Sequence, residues 1–506
     1  MTNVLETIYL CTAAFLALYG FNALWLTWLA LRHWDEEPDT PTTDGAWPMV
    51  TVQLPLFNER LVVRRLLQAV ARMEYPRERL QVLVLDDSTD ETTEIVAQMV
   101  DEYRAGGLNI RLVHRADRSG FKAGALAEAM PHTTGEIIVL FDADFVPPRS
   151  FLTRIVPYFA ANPRLGCLQT RWGHINREYS LLTSAQALAL DGHFTVEQVG
   201  RNRAGLFMSF NGTAGAWRRT CIEDSGGWSA STLCEDLDLS YRAQMRGWQF
   251  LYLPDVSAPA ELPAQMAAFK RQQFRWAKGS IQCLGKLAGP LQRARLPWRT
   301  RLAGLVHLSG YLVHPLMLLL LLVSLPMIFL RGQIPWRFAY LSLVSLGPPL
   351  LYAVGQRFLC SEPRLWWRRY RALPLLMAVG VGIAWNNTVA VVEALLRRPG
   401  AFLRTPKFSL AGRHGQWAGS GYALRSNWTM LVELGLGGYA LAVAWAAAHT
   451  GNWLAVPFFI LYAAGFFFVA LHDPLQGVWR RRAGVQPTAP GRAHSRLTSP
   501  VGPSRR

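Results

Sequence analysis
The 506-residue chain exceeds one typical domain, and 51% apolar residues with 19 Trp argue for a membrane protein over an ordinary soluble enzyme. The net charge of +17 does not form a nucleic-acid stripe, because its arginines flank apolar runs or crowd the C-terminal tail. Cys11, Cys167, Cys221, Cys234, Cys283 and Cys360 are scattered without Cys-x-x-Cys spacing and indicate neither a zinc site nor a disulfide framework.

The first apolar stretch, 4–31, is long enough to cross a bilayer. It is too long for a signal peptide and lacks a small-residue cleavage site, so it is read as retained. From about 32 to 300, short β-rich runs alternate with helical stretches. Strands are expected at 49–54, 81–85, 110–113, 136–141 and 165–169, with helices starting near Glu59, Glu91, Lys122 and Phe151. Such alternation predicts a mostly parallel sheet covered on both faces, which collects ligands at the carboxyl ends of its strands.

Acidic residues stand at those ends. The run from Val82 to Leu85 stops at Asp86 and Asp87, and the run from Ile137 to Phe141 stops at Asp142, Ala143 and Asp144. Two aspartates one residue apart can aim hard oxygen ligands at Mg²⁺ or Mn²⁺ bridging a substrate diphosphate. Alone, such a pair is most often a polar loop, and Asp86 with Asp87 also suits a turn or a helix cap. Glu235 and Asp236 open a helical stretch that ends near Gly247, where an isolated acidic cluster is usually a solvated first turn.

A pentad follows: Gln272, Gln273, Phe274, Arg275 and Trp276, lying between this acid-studded segment and a series of apolar runs. Flanking Lys270, Arg271 and Lys278 also fit an amphipathic interface helix with Trp at headgroup depth. What shifts the balance is order, since a doublet, a D-x-D, an E-D and the pentad succeed one another over one domain.

Further apolar stretches occupy 310–330, 338–354, 373–396, 430–448 and 453–471. If 373–396 crossed the membrane, the cluster Arg364, Arg368, Arg369 and Arg371 would face the opposite side from Arg397, Arg398, Arg404 and Lys407, against the charge rule. It also contains Trp385, Asn386, Asn387, Thr388 and Glu393, so it is expected in the interface or packed inside the protein. Five spans result, with the N-terminus outside and 32–300 in the cytoplasm; a six-span reading is the alternative. The tail carries Arg480, Arg481, Arg482, Arg492, Arg496, Arg505 and Arg506 among Pro, Gly and Ser, and is expected to be disordered and cytoplasmic.

The ordered stretches VQLPLFNE (52–59), VLDDSTD (84–90), KAGAL (122–126), FDADF (141–145), FNGTAG (210–215), CEDLDLS (234–240) and RQQFRW (271–276) resemble the membrane-embedded inverting family 2 glycosyltransferases. Within them the likeness is to cellulose-synthase-like A and C enzymes, which make mannan and glucan backbones. It covers about half the chain, and FLRTPK (402–407) resembles the gating loop of bacterial cellulose synthase. The fold implied is an α/β, GT-A-like, nucleotide-sugar-binding domain inserted in an α-helical transmembrane region. The domains expected are an N-terminal transmembrane helix (1–34), a glycosyltransferase domain with interface helices (35–300), and membrane helices (301–475) including the 373–396 interface helix and a gating segment (397–428). A basic tail (476–506) completes the chain.

By resemblance, Asp86 and Asp87 hold the donor nucleoside with Lys122 nearby, and Asp142 and Asp144 bind the diphosphate with Mg²⁺ or Mn²⁺. Asp236, beside Glu235, is the catalytic base. Gln272 and Trp276 line the acceptor end with Phe210, Asn211, Gly212 and Thr213, while Arg275 neutralises the departing diphosphate. Phe402, Thr405 and Lys407 belong to the gating loop. Cys234 departs from the Thr usual before Glu-Asp, and Gln273 stands where cellulose synthases carry Arg. The expected partners are a nucleotide sugar, a polysaccharide or lipid acceptor and membrane lipids, with no nucleic acid. The expected activity is β-hexosyl transfer from UDP-glucose or GDP-mannose to a growing, secreted glucan or mannan, the alternative being a glycolipid made on the cytoplasmic leaflet. A bacterial inner membrane is the expected location, with the catalytic domain cytoplasmic.

Overall fold
Among the described residues, seven strands form one sheet: β1 (Val50–Leu56), β2 (Leu80–Asp86), β3 (Ile110–His114), β4 (Ile137–Leu140), β5 (Leu165–His174), β6 (Gly215–Arg218) and β7 (Gln249–Ala260). The computed structural model describes residues 2–36, 38–41, 47–331, 343–425 and 428–482. Strand order is β3-β2-β1-β4-β6-β5-β7, and only β6 runs antiparallel to its neighbours. The central runs are apolar throughout because both faces are buried. Leu80, Val82 and Val84 of β2 enter one core and Leu83 and Leu85 another, while β4 divides the same way, with Ile137 and Val139 against Ile138 and Leu140.

All five expected strands are present. β5 runs on to His174, and β6 and β7 were not anticipated. Helices start at Thr92, Phe121 and Phe151 as expected, but the first helix of the domain begins at Val63 rather than near Glu59. Asn58 adopts a left-handed φ of 55°, and Glu59 O then accepts from Val62 N and Val63 N in a turn that delays the helix. After β1 the chain passes outward to β2 and β3, then returns to the other side of β1 with β4. The crevice at this reversal is where a doubly wound sheet binds ligands.

Among the described residues, four helices are long and apolar enough to cross a membrane: Val4–Arg32, Gly310–Leu330, Thr429–His449 and Val456–Gln476. The stretch 373–396 is two helices, Leu373–Gly382 and Ala384–Leu395, and the pair Pro363–Gly382 with Ala384–Leu395 is bent by 43°. Its polar groups find protein partners: Asn386 Nδ2 donates to Lys270 O, Asn387 Nδ2 contacts His314 Nε2 at 2.9 Å, and Glu393 pairs with Lys278. Small residues bring these helices together. A Cβ on Gly382 would lie 2.2 Å from Gly465 O, and one on Gly347 would lie 2.3 Å from Gly20 O. Of the stretch 338–354, residues 338–342 lie outside the described residues, and the remainder enters the 13-residue helix Gly347–Leu359. The last helix runs on to Arg482, into the segment expected as tail, and 483–506 lie outside the described residues.

Candidate active site
The carboxyl ends of β1, β2 and β4 open into a cleft of about 1270 Å³, counting its open mouth. Register sets its first wall. Leu56 pairs with Asp86, so Phe57 and Asp87 leave the sheet together, and both line the cleft. Asp87 takes a two-pronged grip from Arg115, Nε at 2.7 Å and Nη2 at 2.6 Å. The Arg118 guanidinium lies 3.4 Å over the Phe57 ring. Asp86 is not in this wall. It is fully buried and accepts from Thr93 Oγ1 at 2.6 Å and Ser88 N at 3.1 Å, with His114 Nδ1 at 3.1 Å.

The D-x-D pair stands at the end of β4. Asp142 N donates to Thr213 Oγ1, and Asp142 Oδ1 accepts from Lys122 Nζ at 2.5 Å. Lys122 also donates to Gly212 O at 2.9 Å. Burial lowers the Lys122 pKa, but Asp142, Glu235 and Asp236 outweigh it and hold the ammonium above its ordinary range. Asp144 Oδ2 accepts from Lys407 Nζ at 2.7 Å and from Glu261 N at 3.2 Å.

Glu235 and Asp236 occupy the first turn of helix Glu235–Met245 and face the same cleft. Burial, then the neighbouring Glu235, push the Asp236 carboxyl up, while Lys122 opposes them. Burial likewise raises Glu235. Gly212 must be glycine: its φ is +77°, and a Cβ there would come within 2.8 Å of Asp236 Oδ2.

Gln272, Arg275 and Trp276 reach the cleft from helix Met266–Arg293. Three membrane-side helices hold that helix. Asp473 caps its N-terminus, accepting from Met266 N at 2.6 Å and Ala267 N at 2.9 Å; Lys270 pairs with Glu433; Lys278 pairs with Glu393 at 2.7 Å. Of the 210–213 turn, Asn211 and Gly212 line the cleft, whereas Phe210 is buried edge-on against Trp217 and Thr213 is buried behind Asp142.

The 402–407 segment closes the remaining side with Phe402, Thr405 and Lys407 in the wall. Phe402 stacks near Phe121 at 6.1 Å and lies under the Arg275 guanidinium at 4.2 Å. Among the charged and titratable groups that line the cleft, Glu59, Arg118, His174, Glu261 and Arg404 were not singled out as site residues. Arg404 Nη1 lies 3.0 Å from Glu59 Oε2, and the Glu261 carboxylate accepts from Phe408 N at 2.7 Å and Leu410 N at 3.0 Å, latching the loop. Glu59 and Arg404 fall inside the resembling stretches; Glu261 and His174 carry no local signal. Burial pushes the Glu59 carboxyl up to about 8, with Arg404 opposing.

Among the described residues, no group of three or more His, Cys, Asp and Glu forms a self-sufficient metal cage. Asp142 and Asp144 nevertheless fit a divalent ion whose other oxygens come from a diphosphate and water, the usual manner of Mg²⁺ and Mn²⁺.

Residues 48–279 match the family "Glycosyltransferase like family 2". That segment is a family 2 glycosyltransferase domain. The chain is 36% identical over 369 residues to glucomannan 4-beta-mannosyltransferase 7 of Arabidopsis thaliana, covering 71% of this chain and 66% of that protein. It is 42% identical over 274 residues to the probable glucomannan 4-beta-mannosyltransferase 7 of Oryza sativa subsp. japonica, covering 53% and 46%. The chain thus spans about half to two thirds of the length of these relatives. In fold, the chain is similar to mannosyltransferase PcManGT from Pyrobaculum calidifontis, solved with GDP-Man and Mn2+: TM-score 0.55, 23% identity, 78% of this chain and 100% of that one. The α/β, GT-A-like expectation is met, as is the likeness to cellulose-synthase-like A enzymes. Relatives from plants lend no support to a bacterial inner membrane.

Proposed function
We propose that the protein transfers mannose from GDP-mannose to the end of a β-linked, mannan-type polysaccharide with inversion. One observation carries the reading: Asp142, Asp144, Asp236 and Trp276, from three separate parts of the chain, face a single cleft.

The acceptor hydroxyl oxygen attacks the anomeric carbon from the face opposite the diphosphate. A new C–O bond forms as the bond to the diphosphate oxygen breaks, and the hydroxyl proton passes to Asp236. The raised affinity of this carboxyl for protons suits a base working near neutral pH. Arg275 offsets charge on the departing nucleoside diphosphate. Trp276 gives the acceptor ring an apolar face, and Asp87 with Arg118 and Phe57 frames the nucleoside end. A divalent ion held by Asp142 and Asp144 supplies further neutralisation of the diphosphate when bound.

The three-point attachment of helix Met266–Arg293 to membrane-side helices favours a product that leaves along those helices. The charge distribution supports five spans with the catalytic domain in the cytoplasm. The test supplies purified protein in nanodiscs with GDP-mannose or UDP-glucose and Mn²⁺ or Mg²⁺, followed by linkage and size analysis of product. A β-mannan that stays at the chromatographic origin is expected. A solvent-extractable glycolipid overturns the polymer acceptor, and no transfer from either donor overturns the reading.

A further inference from the structure
We propose that His193 is a positioning residue that fixes the cleft-facing amide of Asn211 and, through it, the turn lying against Asp236; this rests on the reading of the cleft as a sugar-transfer site. His193–Glu197 is one π-helical turn between helices Leu181–Gly192 and Gln198–Arg203, and isolated π turns are frequent at functional sites. The membrane side packs directly on it. A Cβ on Gly355 would lie 2.8 Å from Thr195 Oγ1, and one on Gly192 would lie 2.5 Å from the Tyr352 ring.

A backbone carbonyl determines every proton in this cluster. Ser209 O accepts from the Gln198 side chain at 2.8 Å, so that end of Gln198 is its NH2; the same nitrogen donates at 2.6 Å to Asn211 Oδ1. Asn211 therefore turns its NH2 toward His193 Nε2, 3.1 Å away, and Nε2 must accept. The imidazole proton sits on Nδ1 and goes to Glu197 Oε2 at 2.8 Å. Asn211 N is held as well, donating to Gln169 Oε1 at 2.8 Å.

One N–H of the Asn211 amide is spent on His193, and the other is available to an acceptor hydroxyl in the cleft that Asn211 lines. Gly212 follows at once in the chain, its carbonyl bound by Lys122 and the place a Cβ would take lying 2.8 Å from Asp236 Oδ2. The relay thus runs from a turn braced by the helix Gly347–Leu359 to the group that takes the acceptor's proton.

Two substitutions separate the ends of the imidazole. His193→Gln keeps an acceptor oxygen near the Nε2 position and loses the Nδ1–H, whereas His193→Asn keeps a donor near Nδ1 and loses Nε2. With saturating GDP-mannose and a varied β-linked manno-oligosaccharide, His193→Asn is expected to raise the acceptor KM about tenfold, the scale of one hydrogen bond, with the donor KM unchanged. His193→Gln stays close to the parent. The reverse order, or equal loss in both variants, overturns the proposal, and so does a parent-like His193→Asn in an active enzyme. Nitrogen NMR of labelled histidine is independent of any transfer: a proton on Nδ1 supports the relay, and a proton on Nε2 overturns it even if the functional reading fails.

Discussion

The Lys407 ammonium lies 2.7 Å from Asp144 Oδ2 and donates also to Glu261 O. The second carboxylate of the D-x-D pair is thereby neutralised by the 402–407 loop, in the position where a divalent ion would otherwise draw on it. A divalent ion bound there would compete with Lys407 for one carboxylate. Lys407→Met is expected to tighten Mn²⁺ binding in the absence of nucleotide by about tenfold, read by electron paramagnetic resonance titration. Adding Asp144→Asn abolishes that gain. Unchanged binding in Lys407→Met shows that the loop lysine and the metal do not share Asp144.

Asp236→Asn removes the proposed base while keeping its size and its place beside Gly212. General-base loss lowers kcat by about 10²- to 10⁴-fold. The donor KM and nucleotide binding are expected to hold, since Lys122 and the D-x-D pair remain. A variant that loses nucleotide binding in proportion to its activity assigns Asp236 to the donor site instead.

The pH dependence has a definite sign. As the proposed base, Asp236 would work only when ionised, and burial with the Glu235 charge raises its pKa above the ordinary carboxylate value of about 4. Activity therefore falls as the pH drops through this raised pKa, on an acid limb nearer neutrality than an exposed aspartate gives. Glu235→Gln removes the like charge, makes ionisation easier and moves the limb to lower pH. Profiles of kcat/KM against pH for both proteins check the direction, and a limb that moves upward contradicts it.

The sheet was legible because β2 and β4 send alternate residues into two cores and so read as unbroken apolar runs ending in acids. β6 and β7 were not. Gly215–Arg218 has only four residues and opens on glycine, and β7 is interrupted by Pro254, Asp255 and Pro259, which resemble turn residues until a parallel partner fixes them. Motif position also does not say which way a side chain turns. Asp86 and Asp87 are neighbours, yet β2 ends so that one is buried behind the sheet and the other meets the cleft. The latch between Glu261 and the 408–410 backbone is nearly 150 residues apart in sequence and has no local pattern.

Lys278 carries the last prediction. Its side chain is 1% exposed and its ammonium donates to Glu393 at 2.7 Å and to Pro399 O at 3.1 Å, so one charge joins the pentad helix, the bent pair and the start of the loop. Gly400 is pressed against it, since a Cβ there would lie 2.8 Å from Nζ. Removing the lysine strands the partly exposed Glu393 carboxylate, 28% exposed, together with the Pro399 carbonyl, and costs about 2 kcal/mol. Lys278→Met is expected to lower the apparent melting temperature by about 5 °C. Glu393→Gln is milder, because the amide oxygen still accepts from the ammonium. Combining the two is expected to recover part of the loss of the lysine variant, as the stranded carboxylate is then gone. Strictly additive losses contradict coupling through this pair and leave Lys278 as packing alone.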